Sequence, residues 1–258
     1  MLQFPDGAVF AATFADNRFY LALAIGLLTG LVRGFSGFGS AMIYVPLMSA
    51  VYGPRVAAVT FVIQDAITGL SFLAGTWRKT QWRDVLIMAA CAVVAIQFGA
   101  LILQYANPVP LRWSLCVLVA VVLIVLGSGW RYHGRPKLAI TIGVGLLAGV
   151  MGGAVQISGP PVIVYWLGSG LPADILRANF FAYFSIFSVA ALTTYAMHGL
   201  ATAQVWALAL FITPTCITGM WLGSKAFGLA KETTYRRTAY VIVAFSAIAG
   251  LPLWDHLR

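Results

Sequence analysis

Apolar residues run along this chain in long blocks, without the alternating or one-faced patterns of a water-soluble fold. The blocks fall near 19–51, 56–76, 84–105, 112–130, 138–168, 174–197, 203–227 and 238–254, with short polar or basic links between them. Roughly 20 residues of apolar helix cross about 30 Å of hydrocarbon, so the blocks have the length of membrane spans. The pattern predicts an all-α polytopic membrane protein. It is a single transmembrane domain over 1–258, because no stretch is polar enough to fold as a separate soluble unit. "AVFAATFA" at 8–15 is too short to cross and predicts an interfacial turn or two. Asp6 and Asp16 precede Arg18 where a secretory signal would be positively charged, so no cleaved signal is read here.

Two of the blocks are interrupted. "RGFSGFGSAMIYVP" at 33–46 sets three glycines, two serines and an arginine into apolar surroundings. "GGAVQISGPP" at 152–161 breaks the fifth block in the same way. At an offset of 119 the chain matches itself, "GLLTGLVRGFSGFGS" at 26–40 lying over "GLLAGVMGGAVQISG" at 145–159. Each run continues into a short apolar arm, a proline-containing turn ("YGPRVA", "GLPADI") and a long span. The reading is therefore two homologous halves, about 19–130 and 138–254, joined by the basic linker "RYHGRPK" at 131–137. Each half opens with a broken or re-entrant segment followed by three transmembrane helices.

Paired interruptions at matching positions of two halves point to a transporter's binding site. Non-helical backbone at membrane depth is tolerated only where protein or a water-filled cavity satisfies its N–H and C=O groups. Each break also starts a new helix, whose free N–H groups and partial positive charge favour an anion. Gly39 or Ser40 is the expected N-cap of the first arm and Ser158 or Gly159 of the second, where Pro160 and Pro161 suit the first turn. "GLLTG" and "GLLAG" are expected to pack closely against other helices.

Charge bears on topology. If each broken segment crossed the membrane once, Lys and Arg would divide eight against seven between the two sides. If each is instead a re-entrant hairpin, the links around 78–83, 131–137, 174–177 and 225–237 share one side with eleven Lys/Arg, against four on the other. Only the second arrangement gives a positive-inside bias. The arms are too short to span alone, and a hairpin plus three spans makes the halves inverted repeats.

Composition narrows the function. The chain is 61% hydrophobic and 9% charged, with a net charge of +9. Most of its cations lie in short links, where anionic headgroups account for them, and no nucleic-acid motif is visible. Cys91, Cys116 and Cys216 lie inside apolar blocks and read as small buried hydrophobes. One acid, Asp65, sits within a span, and with no His/Cys cluster the ligands of a metal carrier are missing. "GFSG" at 34–37 matches the GxSG stretch of intramembrane serine proteases, but His198 closes the sixth segment at the wrong depth to serve Ser36 as base. No enzyme and no cofactor are expected.

The candidate substrate-binding residues are Arg33, Ser36, Gly37, Gly39 and Ser40 of the first break, Gln156, Ser158 and Gly159 of the second, and Asn179 early in the following span. The serines and Gln156 supply neutral donors suited to a substrate that must also leave. Arg33 could fork onto a carboxylate or sulfonate, pair with Asp65, or exit to the membrane interface. Asp65 is read as a proton-coupling group or as an ion-pair partner of a cation such as Arg33. Thr213-Pro214 predicts a kink in the seventh block, with threonine hydroxyls tying up the freed carbonyls.

Two four-segment halves, each opening with a Gly-rich broken segment ("GLLTGLVRGFSGFGSAMIYVPL", "GLLAGVMGGAVQISGPPVIVYWL"), resemble the sulfite exporter TauE/SafE family of membrane transporters. The resemblance covers nearly the whole chain. It implies transport of small organic or sulfur-containing anions such as sulfite, sulfonates, sulfoacetate or related carboxylates. With it come the expected partners: a small anionic substrate, the lipid bilayer of the cell (inner) membrane, protons as coupling ion, and a monomer or homodimer. An anion channel is the alternative to a carrier.

Overall fold

The computed structural model describes residues 6–36, 39–128, 137–226 and 232–253, which form helices and short turns with no strand among them. The helices are α1 (Gly7–Ala15), α2 (Arg18–Ser36), α3 (Ser40–Tyr52), α4 (Pro54–Thr76), α5 (Trp82–Tyr105), α6 (Pro108–Gly127), α7 (Leu138–Val155), α8 (Gly159–Leu167), α9 (Ala173–Met197), α10 (Ala203–Ala226) and α11 (Glu232–Gly250). Among the described residues, five helices are long and apolar enough to cross a membrane, or six if α1 and α2, which meet at 85°, count as one span. The first and fifth apolar blocks divide where glycine, serine and proline interrupt them: α2 gives way to α3 between Ser36 and Ser40, α7 to α8 between Val155 and Gly159. At 13 and 9 residues, α3 and α8 are about 20 Å and 14 Å long, short of the hydrocarbon thickness. The nine residues of α1 lie across the end of α2, with Phe10 and Phe14 packed edge-on against Phe211 of α10.

Small residues draw two helix pairs together. Gly26, Gly30 and Gly34 of α2 lie against Ile212, Cys216 and Met220 of α10, and Gly219 and Gly223 of α10 against the carbonyls of Leu27 and Leu31. Gly145, Gly149 and Gly153 of α7 face the carbonyls of Met88, Ala92 and Ile96 of α5 in the same way. A Cβ on any of these glycines would collide with the facing helix, so the small-xxx-small spacing lets the backbones touch. Residue numbers rise together across both seams, so α2 runs parallel to α10 and α7 parallel to α5. The three seam glycines of α2 and of α7 are matched one for one at the offset of 119.

Polar contacts fix the direction of the remaining helices. Gln97 bonds Thr194 at 2.9 Å and Gln104 reaches His198 at 2.9 Å, so α5 and α9 end together. They also start together, because the Gln81 N–H before α5 donates to Asn179 Oδ1 at 2.8 Å and Lys79 pairs with Asp174 at 3.1 Å. α4 crosses α9 in the opposite sense, with Gly69 beside Ser185 and Asp65 beside Ser188. The Thr141 hydroxyl, near the start of α7, meets the Tyr165 hydroxyl near the end of α8 at 2.5 Å, so α8 folds back along α7 as a hairpin. Pro214 lies inside α10 as expected, but the hydroxyl bonding back beside it is that of Thr215, to Ile212 O at 2.7 Å. Thr213 Oγ1 is buried without a partner among the described residues, a correction to the expected role.

Candidate functional site

Both breaks open onto one cavity of about 60 Å³. Arg33 at the end of α2 and Gly39–Met42 at the start of α3 line one side; Gln156–Pro160 and Ile163 line the other. Where α4 crosses α9, Phe61 and Asp65 meet Phe184, Phe187 and Ser188.

Charge in the cavity is paired. Arg33 Nη1 donates to one oxygen of Asp65, and the Ser188 hydroxyl donates to the other. The two charged side chains are only 10% and 11% exposed. A buried carboxylate costs several kcal/mol unless it is compensated, and here a guanidinium and a hydroxyl do so from two other helices. Arg33 and Asp65 thus stand as a mutual ion pair, one of the arrangements the sequence allows.

Local backbone gives each break its shape. Gly39 caps α3 at φ 86°, a left-handed conformation open to glycine. Gln156 takes the same region at φ 56° although it has a Cβ, and its side chain offsets the strain. Its Nε2 donates to Tyr195 Oη at 2.8 Å, and that hydroxyl donates to Gly153 O at 2.7 Å, tying the end of α7 to α9. The Gln156 amide nitrogen is therefore spent on Tyr195 and is not turned freely towards a substrate. Ser158 caps α8 without a side-chain bond to it, and Pro160 and Pro161 follow in the first turn. Ser40 and Ser158 are 6% and 5% exposed, line the cavity, and have no side-chain hydrogen bond among the described residues.

Of the sequence candidates, Arg33, Gly39, Ser40, Gln156, Ser158, Gly159 and Asp65 converge on this cavity. Asn179 does not. It is fully buried at the start of α9, accepting from the Gln81 N–H and donating to Gln81 Oε1 at 3.3 Å, because the turn before α5 needs its backbone capped there. The Ser36 side chain and Gly37 lie outside the described residues. His198 binds Gln104 at the far end of α9 and is not a cavity residue. The sequence reading missed Ser188, Phe184 and Phe187. The repeat held a signal for one of them, since Phe184 stands at the offset of 119 from Asp65. Among the described residues no group of three or more His, Cys, Asp or Glu is placed to hold a metal ion.

The sequence has counterparts among known proteins. The family model Sulfite exporter TauE/SafE matches residues 22–250. A protein of Cupriavidus necator named probable sulfite/organosulfonate exporter TauE is 26% identical over 229 residues, covering 84% of this chain and 88% of its own. No solved structure matches.

Proposed function

The chain belongs to the sulfite exporter TauE/SafE family, and from that premise we propose that it is a secondary transporter of small sulfur-containing or organic anions across the cell (inner) membrane. Sulfite, organosulfonates and short carboxylates are the substrate class, and alternating access of the two halves is the mechanism. The observation that carries this reading is the convergence of both breaks on one cavity holding a buried arginine. There the substrate's oxygens take donors from Arg33, from the first-turn N–H groups of α3 and from the Ser40 and Ser158 hydroxyls. Hydrogen bonds to a charged group are each worth about 1.5–3 kcal/mol, enough to hold an anion stripped of water yet release it.

The halves are proposed to be inverted, each opening with a re-entrant hairpin. The α7–α8 arms meet at Thr141 and Tyr165, and α9 starts at the end of the molecule from which α7 starts. The end bearing Lys79, Lys137 and Asp174 is assigned to the cytoplasm from the positive-inside bias. Asp65, bridging Arg33 of its own half and Ser188 of the other, is the proposed coupling residue, taking up a proton when an anion displaces it from Arg33.

Flux of labelled sulfite, sulfoacetate and short carboxylates into proteoliposomes, with and without an imposed proton gradient, tests the reading. Movement of at least one, lost in Arg33→Gln, is the expected result. If none moves under either condition, the transport reading is wrong.

A further inference from the structure

The cavity is chemically lopsided. Its one cation and its helix-start N–H groups stand on the first half, at Arg33, Ser40 and Ala41, beside the Ser40 hydroxyl; the second half adds the Ser158 hydroxyl. The second break mirrors the first in sequence, but α8 carries prolines at its second and third positions and so lacks two of the N–H groups that a helix start presents. Around that start the cavity is lined by Ile157, Ser158, Ile163, Phe184 and Phe187. Ser40 and Ser158 are buried and unpartnered among the described residues, so polar ligand atoms are expected beside them, with the larger share on the Arg33 side.

The charge count is as restrictive. Among the described lining residues Arg33 is the one cation and Asp65 the one anion, and they neutralise each other. An entering monoanion leaves the site one charge negative before any proton is taken up, and a dianion leaves it two negative. A second uncompensated charge at this depth is strongly disfavoured. Size points the same way, since a cavity of about 60 Å³ suits a small ligand rather than a bulky one.

Resting on the transport reading above, we infer that the preferred ligand is a monoanionic sulfonate with a short apolar substituent. Its oxygens lie on Arg33 and the α3 start, and its carbon tail lies against Phe184 and Ile163. Small alkanesulfonates fit this description. Sulfoacetate and sulfate, which are dianions, do not, and the same logic selects hydrogen sulfite over the sulfite dianion.

Titration calorimetry of the full chain in nanodiscs with methanesulfonate, ethanesulfonate, sulfoacetate and sulfate tests the inference. Ethanesulfonate is expected to bind about fourfold tighter than methanesulfonate, the gain of one buried methylene. Sulfoacetate and sulfate are expected to bind at least about tenfold more weakly than methanesulfonate. In Phe184→Ala the ratio of ethanesulfonate to methanesulfonate affinity should collapse towards one. Ile163→Ala should reduce the same ratio if the first variant does not fold. Sulfoacetate or sulfate binding as tightly as methanesulfonate, or an added methylene that gains nothing, overturns the inference while leaving anion transport standing. If no anion binds and none moves in proteoliposomes, the transport reading itself fails and takes the inference with it.

Discussion

At the scale of single residues, the second break turns on Gln156, a left-handed residue with a Cβ that is held by Tyr195. A non-glycine residue in that region costs about 1–2 kcal/mol, and the amide–hydroxyl bond returns about 1 kcal/mol. Gln156→Gly removes the strain and the bond together, so its thermal stability should stay within about 1 kcal/mol of the parent. Gln156→Ala keeps the strain and loses the bond, and should fall about 1–2 kcal/mol below the glycine variant in the same melting assay. The first break carries its stakes in Arg33 and Asp65. Removing one member of a buried pair strands a charge at a cost of about 3–5 kcal/mol, so Arg33→Gln alone should be strongly destabilised. Asp65→Asn introduced with it should recover more than half of that loss, and additive effects in the double-mutant cycle would show that the pair is not coupled. The sequence made Arg33, Asp65, Ser40 and Ser158 conspicuous because polar groups at membrane depth are rare. It could not show Gln156 tied to Tyr195 or Asn179 tied to Gln81, because those partners lie 39 and 98 positions away and an amide reads alike whether it serves a ligand or a backbone.

Among the elements, the glycine seams do the joining. Without a hydrophobic force between helices in lipid, α2–α10 and α5–α7 depend on backbone contact, and each contact needs the absence of a side chain. Gly149→Leu, aimed at the carbonyl of Ala92, should therefore lower the melting temperature sharply and broaden the size-exclusion profile in detergent. Gly143, on the same helix but with nothing near its Cβ position, should accept alanine with unchanged or raised stability, since alanine is the better helix former by about 1 kcal/mol. Equal damage at both sites would mean that glycine serves α7 through flexibility rather than through close approach. The seams were legible in "GLLTG" and "GLLAG", as were the two breaks, because spacing and helix-breaking residues are local properties of the chain. Which helix each seam would meet was not legible, since it depends on the crossing of α4 and α9, whose faces the sequence presents only as apolar runs with few polar marks.

For the whole molecule, the question is how the helices are threaded through the bilayer. Two of the four cations away from the proposed cytoplasmic end serve the fold directly. Arg55 donates to the carbonyls of Leu103, Gln104 and Ala106 at the end of α5, and Arg112 donates to Gly250 O at 3.0 Å at the end of α11. Cations at helix C-termini offset the negative end of the dipole and satisfy carbonyls that the helix leaves open. Those two charges are therefore explained by structure, and the orientation signal rests on the cations at the other end. Lys79 and Asp174 touch across that end, which a chain crossing the membrane at both breaks would have to hold on opposite sides. In a background with Cys91, Cys116 and Cys216 replaced, single cysteines at Arg78, Lys137 and Asp174 should react with a membrane-impermeant maleimide only from the cytoplasmic side. Cysteines at Asn107 and Thr202 should react only from outside. Under eight crossings Asp174 would change sides while Arg78 and Lys137 stayed together, so that one position decides between the two threadings. Labelling of Asp174→Cys from outside the cell, with Arg78→Cys protected, would overturn both the hairpins and the inverted halves built on them.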